Sequence, residues 1–217
     1  SDDPTFVGTA GAYDDGTYTS HDGADHFRYD TTIPSWAEVL HKSAAGKGIW
    51  SCFIILKYID DGSLQFFWAT HGSYTGTDRR GVSFTMESND KLGVRVGKNS
   101  GETDTFSAWG DAGFVPDGPH MLGCAIDNDN GIGFIYMDGA YVPTSGVADT
   151  FAVSYSSSSD TNTNKMGFCA SCRNSGTFGH LGNGSKVYSG MFDDTYWTKA
   201  EFDLIWARVG GWLLASS

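Results

Sequence analysis

The stretch HMLGCAIDNDNGIGFIYMDGAY, from His120 to Tyr141, decides the fold of this chain. Two runs of alternating apolar residues flank the polar segment Asp127 to Gly131, and within each run these residues share one strand face. They are Leu122, Cys124 and Ile126 in the first run and Ile132, Phe134 and Tyr136 in the second. Asp138-Gly139 then marks another tight turn, because Gly readily adopts positive φ. The stretch predicts the central hairpin of a β-sandwich.

The composition favours one all-β domain. The chain has 217 residues, of which 29 are Gly, 14% are aromatic and 18% are charged. Such a mixture suits many short strands joined by tight turns, and no segment has the composition of a linker between two cores. We therefore expect a single domain over residues 1–217. Because the chain begins at Ser1 without a Met, we also expect it to be part of a longer protein.

The charge excludes some classes of partner. The net charge is −12, and the 14 Lys and Arg residues form no run longer than Arg79-Arg80. Nucleic acid and anionic membranes need a basic face, so neither is an expected partner. No apolar run approaches the roughly 20 residues of a membrane span, and no signal peptide opens the sequence.

Alternation predicts strands along most of the chain. The predicted strands span residues 17–21, 26–29, 49–58, 64–70, 81–87, 91–97, 104–109, 119–127, 132–142, 165–170 and 186–197. We interpret the first two as an opening hairpin that turns at Asp22-Gly23. In the 49–58 run, apolar residues occupy every second position from Trp50 to Tyr58 and the opposite face is mixed, which is typical of a central strand.

Two short helices are predicted from capping boxes, in which a Ser or Thr precedes a Glu by three residues. Ser35 and Glu38 open the first, about 35–43, which we expect to lie over a sandwich edge. Thr198 and Glu201 open the second, about 199–208, with apolar residues at helical spacing after them. Gly210-Gly211 is expected to end that helix.

Four cysteines in a chain of this length do not form a disulfide framework. Cys52 and Cys124 fall on apolar strand faces, so we interpret both as small core residues. Cys169 and Cys172 form a lone CxxC without a second Cys or His pair. A local disulfide or two thiols is therefore favoured over a zinc site.

Several segments resemble one family of jelly rolls. His120, the alternating run after it and the sequence FIYMDG (residues 134–139) resemble the central hairpin of laminin-G-like, concanavalin A-like domains. The segment 192–202 resembles that family's last strand and short helix, and 18–27 resembles its opening. Segment 38–42 is similar to versions found in bacteriophage structural proteins. The resemblance implies an all-β, two-sheet antiparallel jelly-roll sandwich with two short peripheral helices, and the fold alone specifies no function.

Some members of this superfamily are glycoside hydrolases or polysaccharide lyases, so the resemblance raises the question of catalysis. The hydrolase motif E-x-D-x-x-E is absent, and Asp193 and Asp194 are adjacent, so on a strand they point to opposite faces. The lyase motifs and a Gly-x-Ser-x-Gly turn are absent as well. We therefore expect no catalysis and keep a polysaccharide hydrolase or lyase as an alternative.

Carbohydrate binding is the favoured chemistry. It requires an exposed aromatic ring to stack on a sugar and polar side chains to bind the hydroxyls. The long loop 71–80 supplies both, and Trp109 stands at a strand end, where it is either a sugar platform or a core residue. Trp68 shares a strand face with apolar residues and is interpreted as core. The candidate ligand-binding residues are His71, Tyr74, Asp78, Arg79, Arg80 and Trp109.

A calcium site is the remaining candidate, because laminin-G-like domains often carry one. Asp127 and Asp129 offer hard oxygen ligands, yet the segment lacks the spacing and distal Glu of an EF-hand loop. A hairpin turn is the simpler interpretation of the segment. We keep Asp127 and Asp129 as candidate Ca²⁺ ligands.

The leading prediction is a non-catalytic carbohydrate- or cell-surface-recognition module on a virion surface or another extracellular assembly. Its partners would be a glycan or bacterial surface polysaccharide and other subunits of the assembly. The net charge of −12 would repel an anionic polysaccharide, so a neutral glycan or a bridging cation is favoured. A structural decoration or assembly domain without a glycan ligand is the alternative from a different class.

Overall fold

A computed structural model describes the chain over residues 5–7, 13–14, 18–20, 26–29, 35–41, 43–70, 81–86, 92–97, 115–142, 149–150, 153, 155, 166–173 and 176–215. Its strands are β1 Thr5–Val7, β2 Tyr13–Asp14, β3 Tyr18–Ser20, β4 His26–Arg28, β5 Ile49–Tyr58, β6 Gln65–Ala69, β7 Gly81–Met86, β8 Leu92–Gly97, β9 Gly118–Asp127, β10 Ile132–Met137, β11 Ala140–Val142, β12 Asp149–Thr150, β13 Gly167–Phe168, β14 Ser171–Arg173, β15 Gly176–Phe178 and β16 Lys186–Asp193. The helices are a 3₁₀ helix, Ser35–Leu40, and the α-helix α1, Lys199–Ala215.

The described strands form two main antiparallel sheets. Six of them make the first sheet in the order β1-β4-β13-β6-β7-β8. Eight make the second, in the order β11-β10-β9-β5-β16-β3-β2, with β12 paired to β10. The strands β14 and β15 form a separate pair. The prediction of an all-β, two-sheet antiparallel sandwich is confirmed, whereas the predicted strand 104–109 lies outside the described residues.

The main core lies between the two sheets. Every second residue of β5 points into it, from Trp50 to Tyr58, as the alternation predicted. The indole of Trp50 packs edge-on against that of Trp68, which is buried as predicted. Cys52 and Cys124 are buried cross-strand neighbours with their sulfurs 3.4 Å apart, and both keep their thiols. The interpretation of these two cysteines as core residues is confirmed.

The central hairpin forms where it was predicted, but its two strands do not present their apolar faces to the same side. In the register of β9 and β10, Tyr136 lies opposite Gly123 rather than opposite an inward-facing residue. Phe134 and Tyr136 therefore pack on the outer face of the sheet beneath α1, and Ile135 enters the inter-sheet core. An apolar alternation identifies one face of a strand, but not which of two buried layers that face meets.

The prediction of an opening hairpin is wrong, although both strands exist. β3 joins the second sheet, where it pairs with β2 and β16. β4 joins the first sheet, where it pairs with β1 and β13. The segment that contains Asp22-Gly23 therefore connects strands of different sheets, a connection that a turn motif alone cannot distinguish from a hairpin.

Both helices lie where capping boxes predicted them, with different extents. The first is a 3₁₀ helix that ends at Leu40 rather than residue 43. The second continues through Gly210-Gly211 to Ala215. Gly210 is needed for packing rather than termination, since a Cβ there would lie 2.8 Å from the indole of Trp206. One half of the capping box is present, because the Thr198 N–H donates to the Glu201 carboxylate at 2.6 Å, and the Thr198 hydroxyl donates to the same oxygen at 2.9 Å.

The last strand ends at Asp193, four residues before the predicted position. Asp193 Oδ1 accepts hydrogen bonds from the backbone N–H and the hydroxyl of Thr195, at 3.0 and 2.7 Å. This Asx turn replaces the sheet ladder and leads the chain toward α1. Within the described residues, no helix is both long enough and apolar enough to span a membrane.

Candidate functional site

The structure leaves most of the predicted site untested. The loop 71–80, with its five candidate residues, and Trp109 lie outside the described residues. The proposed roles of His71, Tyr74, Asp78, Arg79, Arg80 and Trp109 in ligand binding therefore stay predictions. Cys169, by contrast, is buried as a thiol, so it does not form the local disulfide considered for the CxxC.

The two candidate calcium ligands are engaged in hydrogen bonds at the β9–β10 turn. Asp127 accepts from the backbone N–H of Asn130 at 3.0 Å and from its side-chain amide at 2.6 Å. These bonds close the turn. The Asp129 carboxylate accepts from the backbone N–H of Gly46 at 3.1 and 2.9 Å and from the hydroxyl of Tyr155. Asp129 thus ties the turn to two other segments.

The bond to Asp129, assisted by burial, raises the pKa of Tyr155 to about 12. Tyr155 therefore remains a neutral hydrogen-bond donor at physiological pH. Within the part of the chain that the structure describes, no group of three or more His, Cys, Asp and Glu side chains is arranged to hold a metal ion. Calcium binding by Asp127 and Asp129 stays a prediction.

An open groove at one end of the sandwich combines an exposed aromatic ring with carboxylates. Its volume is about 500 Å³, and it lies between the 3₁₀ helix and the end of β16. Trp36 is 41% exposed, although large aromatic side chains are usually well buried. The described residues that line the groove are Trp36, Val39, Leu40, Phe192, Asp193 and Asp194. We call it the Trp36 groove.

The ring of Trp36 is held in place by two other aromatic side chains. Its centroid lies 6.1 Å from that of Tyr29, edge-on, and 6.1 Å from that of Phe192, tilted. Phe192 in turn packs edge-on against Trp68 at 4.6 Å, which anchors the platform in the inter-sheet core. An aromatic surface supported in this way is oriented before a ligand arrives, so binding would not have to immobilise it.

Two carboxylates stand beside this platform because β16 ends there. Asp193 uses Oδ1 to close the Asx turn with Thr195, which fixes its orientation. Asp194 follows at the turn and is exposed. Carboxylate oxygens are strong acceptors for hydroxyl donors. The groove can therefore offer a stacking surface and acceptors to one polar ligand, and it attracts cations rather than anions.

This groove was not predicted from the sequence. Trp36 falls within the predicted helix 35–43, and Asp193 and Asp194 were considered only as a catalytic pair. The available signal was the position of Trp36 at the start of a very short helix, where few residues can cover a large ring. What the sequence could not supply was the proximity of two segments more than 150 residues apart.

A second polar arrangement, around His120, belongs to the scaffold. His120 Nδ1 lies 2.6 Å from Asp138 Oδ2, and its Nε2 lies 2.8 Å from the carbonyl oxygen of Pro116. His120 is 8% exposed. Since both ring nitrogens are bound to acceptors, neither is available as a general base, and the arrangement connects β9 to the β10–β11 turn.

Comparison with solved structures confirms the jelly-roll sandwich fold. The carbohydrate-binding module (CBM40) of the Ruminococcus gnavus IT-sialidase aligns with a TM-score of 0.61 at 14% identity, over 83% of this chain and 92% of that one. The same module bound to α2,3-sialyllactose aligns with a TM-score of 0.57 at 12% identity, over 72% and 81%. These identities establish similarity of fold.

A third similar structure is the leech intramolecular trans-sialidase in complex with 2,7-anhydro-Neu5Ac. It aligns with a TM-score of 0.59 at 11% identity, over 82% of this chain but 26% of the enzyme. The match therefore concerns only a part of that enzyme. No protein-family model matches the chain, and no curated protein matches it in sequence.

Proposed function

We propose that this domain is a non-catalytic glycan-recognition module that binds its ligand in the Trp36 groove. The observation that carries the proposal is the exposed indole of Trp36 beside Asp193 and Asp194 at the end of a jelly-roll sandwich. The apolar face of a pyranose stacks on such a ring, while its hydroxyls donate to the carboxylates. Similarity of fold to a carbohydrate-binding module supports the proposal.

The charge of the groove favours a neutral glycan. The aligned module was solved with α2,3-sialyllactose, which carries a carboxylate of its own. In this chain Asp193 and Asp194 line the groove, and the net charge is −12. An anionic sugar would meet repulsion there unless a cation intervened. We therefore assign a neutral glycan to this domain rather than the ligand of its structural neighbour.

We propose that the domain binds without cleaving. One carboxylate oxygen of Asp193 already accepts hydrogen bonds from Thr195 in the turn. Asp193 is therefore better suited to position a ligand than to act as a nucleophile. The enzyme alternative stays testable, since hydrolysis or lyase cleavage of bacterial polysaccharide would release reducing ends or unsaturated sugars.

The proposal includes a setting on a virion surface or another extracellular assembly. Its support is the resemblance of segment 38–42 to bacteriophage structural proteins, together with the suitability of a glycan-binding domain for surface attachment. The loop 71–80 and Trp109 are retained as a further candidate face for the same ligand, and calcium as a candidate bridging ion.

A structural or assembly role without a glycan is the second candidate, and one observation favours it. The outer face of α1 exposes two large apolar side chains, Leu204 at 67% and Trp212 at 49%. Exposed apolar residues of this size are common at protein–protein contacts. A partner subunit that covered α1 would not use the Trp36 groove, so the two candidates predict different sensitive residues.

A glycan array run with Ca²⁺ and with EDTA tests the proposal. Trp36→Ala is the informative variant, and Trp212→Ala is a matched control, since both remove an exposed indole. We expect wild type and Trp212→Ala to bind a neutral glycan and Trp36→Ala to lose about tenfold in affinity or more. Binding that survives in Trp36→Ala would place the site elsewhere, and absence of binding under both conditions would reject glycan recognition.

A further inference from the structure

A second cavity, next to the Trp36 groove, has a different chemistry. Its volume is about 470 Å³, and its walls come from both sheets, with β16 and β5 on one side and β4, β13 and β6 on the other. It opens to solvent beside Gly190 and Met191, both exposed. Phe192 lines both the cavity and the groove.

The cavity exists because β16 places a glycine where an inward side chain is expected. A bulge at Tyr188 shifts the register, so that Val187 pairs with Leu56 but Gly190 pairs with Ile54. Ile54 and Leu56 both point into the inter-sheet core. Gly190 therefore occupies an inward position between the larger side chains of Val187 and Phe192, and it leaves the space between the sheets unfilled.

A side chain at Gly190 would have few neighbouring atoms on the side of the cavity. An added Cβ would have only the Phe53 carbonyl oxygen at 3.2 Å and the Ile54 Cα at 3.9 Å within 4 Å, and nothing from the opposite sheet. Gly190 does not have a positive φ, so its backbone conformation is open to L side chains. The contact with the Phe53 carbonyl oxygen is tight and requires a small shift of that group, and the remaining atoms of a larger side chain would project into the cavity.

The lining has little to offer to water or to a charged ligand. The described residues around the cavity are apolar or aromatic apart from Gly190 and the thiol of Cys169. The indole N–H of Trp68, one of the few polar atoms nearby, already donates to Cys52 Sγ at 3.3 Å. Water in such a space gains few hydrogen bonds, and apolar cavities of about 150 Å³ suffice to bind benzene.

We propose that this cavity binds a small uncharged apolar group, aryl or alkyl, of about the size of toluene. The proposal is independent of glycan recognition, since it is argued from the cavity's own walls. The shared wall at Phe192 places such a group beside the Trp36 groove. A ligand with a polar part and an apolar substituent could therefore occupy both spaces at once.

Binding of 4-fluorotoluene, followed by ¹⁹F NMR, tests the proposal, and 4-fluorobenzoate serves as a charged probe of similar size. We expect saturable binding of 4-fluorotoluene and none of 4-fluorobenzoate. Gly190→Val should weaken binding of 4-fluorotoluene by about tenfold or more because its methyl groups fill the site. Gly190→Ala should weaken it less, which provides a graded test should the valine variant fold poorly.

Trp212→Ala is the control, because Trp212 lies on α1 and is not among the residues that line the groove or the cavity. Binding of 4-fluorotoluene should be unchanged in this variant. Equal binding of 4-fluorotoluene to wild type, Gly190→Ala and Gly190→Val would overturn the proposal, as would the absence of saturable binding to wild type. Either result would leave the glycan proposal standing.

Discussion

The imidazole of His120 joins the carboxylate of Asp138 across the β9–β10–β11 meander, with 2.6 Å between Nδ1 and Oδ2. The other carboxylate oxygen of Asp138 accepts from the backbone N–H of Met121 at 2.8 Å. Asp138 occupies the turn with a φ of 49°, followed by Gly139 with a φ of 90°. The turn motif seen in the sequence is thus tied to the strand before it by a charged hydrogen bond as well as by its backbone conformation.

This pair makes part of the stability depend on pH. Burial lowers the pKa of His120, but the hydrogen bond and charge of Asp138, together with the Pro116 carbonyl, outweigh it, so the pKa is raised. A His with a raised folded pKa stabilises the fold fully below its unfolded pKa of about 6.5, and the contribution is lost as pH rises through the folded value. We expect the contribution to decline as the pH rises above the unfolded pKa of about 6.5 and through the higher folded pKa.

Asp138→Asn tests this dependence, because Asn tolerates the left-handed conformation at this position. The variant should lose about 1.5–3 kcal/mol of unfolding free energy at pH 6. The difference from wild type should shrink toward pH 9, as measured by urea unfolding at both values. A difference that is constant with pH would show that His120 does not titrate against Asp138.

The strands were predictable because a sandwich imposes a period of two on the sequence, and β5 carries that period over its whole length from Ile49 to Tyr58. The layer that each face meets was not predictable. The sequence does not reveal that the outer face of β10 is covered by α1, so Phe134 and Tyr136 were grouped with the inter-sheet residues. Only the register, with Gly123 opposite Tyr136, separates the two layers.

Gly123 leaves the space in which α1 packs against the sheet. A Cβ at this position would lie 2.5 Å from Cε1 of Phe202 and 3.0 Å from the carbonyl oxygen of Cys52. Phe202 is fully buried and stacks on Tyr136 at 5.1 Å. The glycine at position 123 is therefore explained by the space that the helix requires.

Gly123→Ala should destabilise the domain by about 1–3 kcal/mol, because the added methyl group overpacks the interface between β9 and α1. Thermal unfolding would measure the loss. The double variant Gly123→Ala, Phe202→Leu should be less destabilised than the sum of the two single variants, since a smaller side chain relieves the overlap. Strict additivity would mean that the two residues do not compete for the same space.

The candidate site was less predictable than the fold, for a physical reason. A groove is made by side chains from distant segments, and nothing in the sequence indicates that Trp36 and Asp194 lie close together. The loop 71–80 was selected because a single segment contained every required residue type, which is the only kind of site that one sequence can display. The Trp36 groove required the topology that brings β16 beside the 3₁₀ helix.

The two glycines of α1 should respond differently to Ala. A Cβ at Gly211 would have no atom within 4 Å, so Gly211→Ala should stabilise the helix by about 0.5–1 kcal/mol. At Gly210 the same change gains helix propensity but places a methyl group 2.8 Å from Trp206. We expect Gly210→Ala to be the less stable of the two in chemical unfolding. Equal effects would indicate that α1 ends near Gly210, as the sequence first suggested.

Ser51 connects β5 to the segment 195–197, which leads into α1. Its hydroxyl donates to the carbonyl oxygen of Thr195 at 2.8 Å and accepts from the N–H of Trp197 at 2.8 Å. Ser51 is fully buried, so its loss leaves two backbone groups without their partner. Ser51→Ala should cost about 1–3 kcal/mol of unfolding free energy.

Ser63→Ala is the matched control for Ser51→Ala, because the Ser63 hydroxyl also makes one short hydrogen bond, to Asp61 at 2.6 Å, but in an exposed loop. Water replaces that partner, so the control should change stability by less than about 0.5 kcal/mol. Guanidinium unfolding followed by tryptophan fluorescence would also report on Trp197, whose environment depends on the same bond. If both variants lost equally little, Ser51 would not hold the approach to α1, and the position of Phe202 over Gly123 would depend on packing alone.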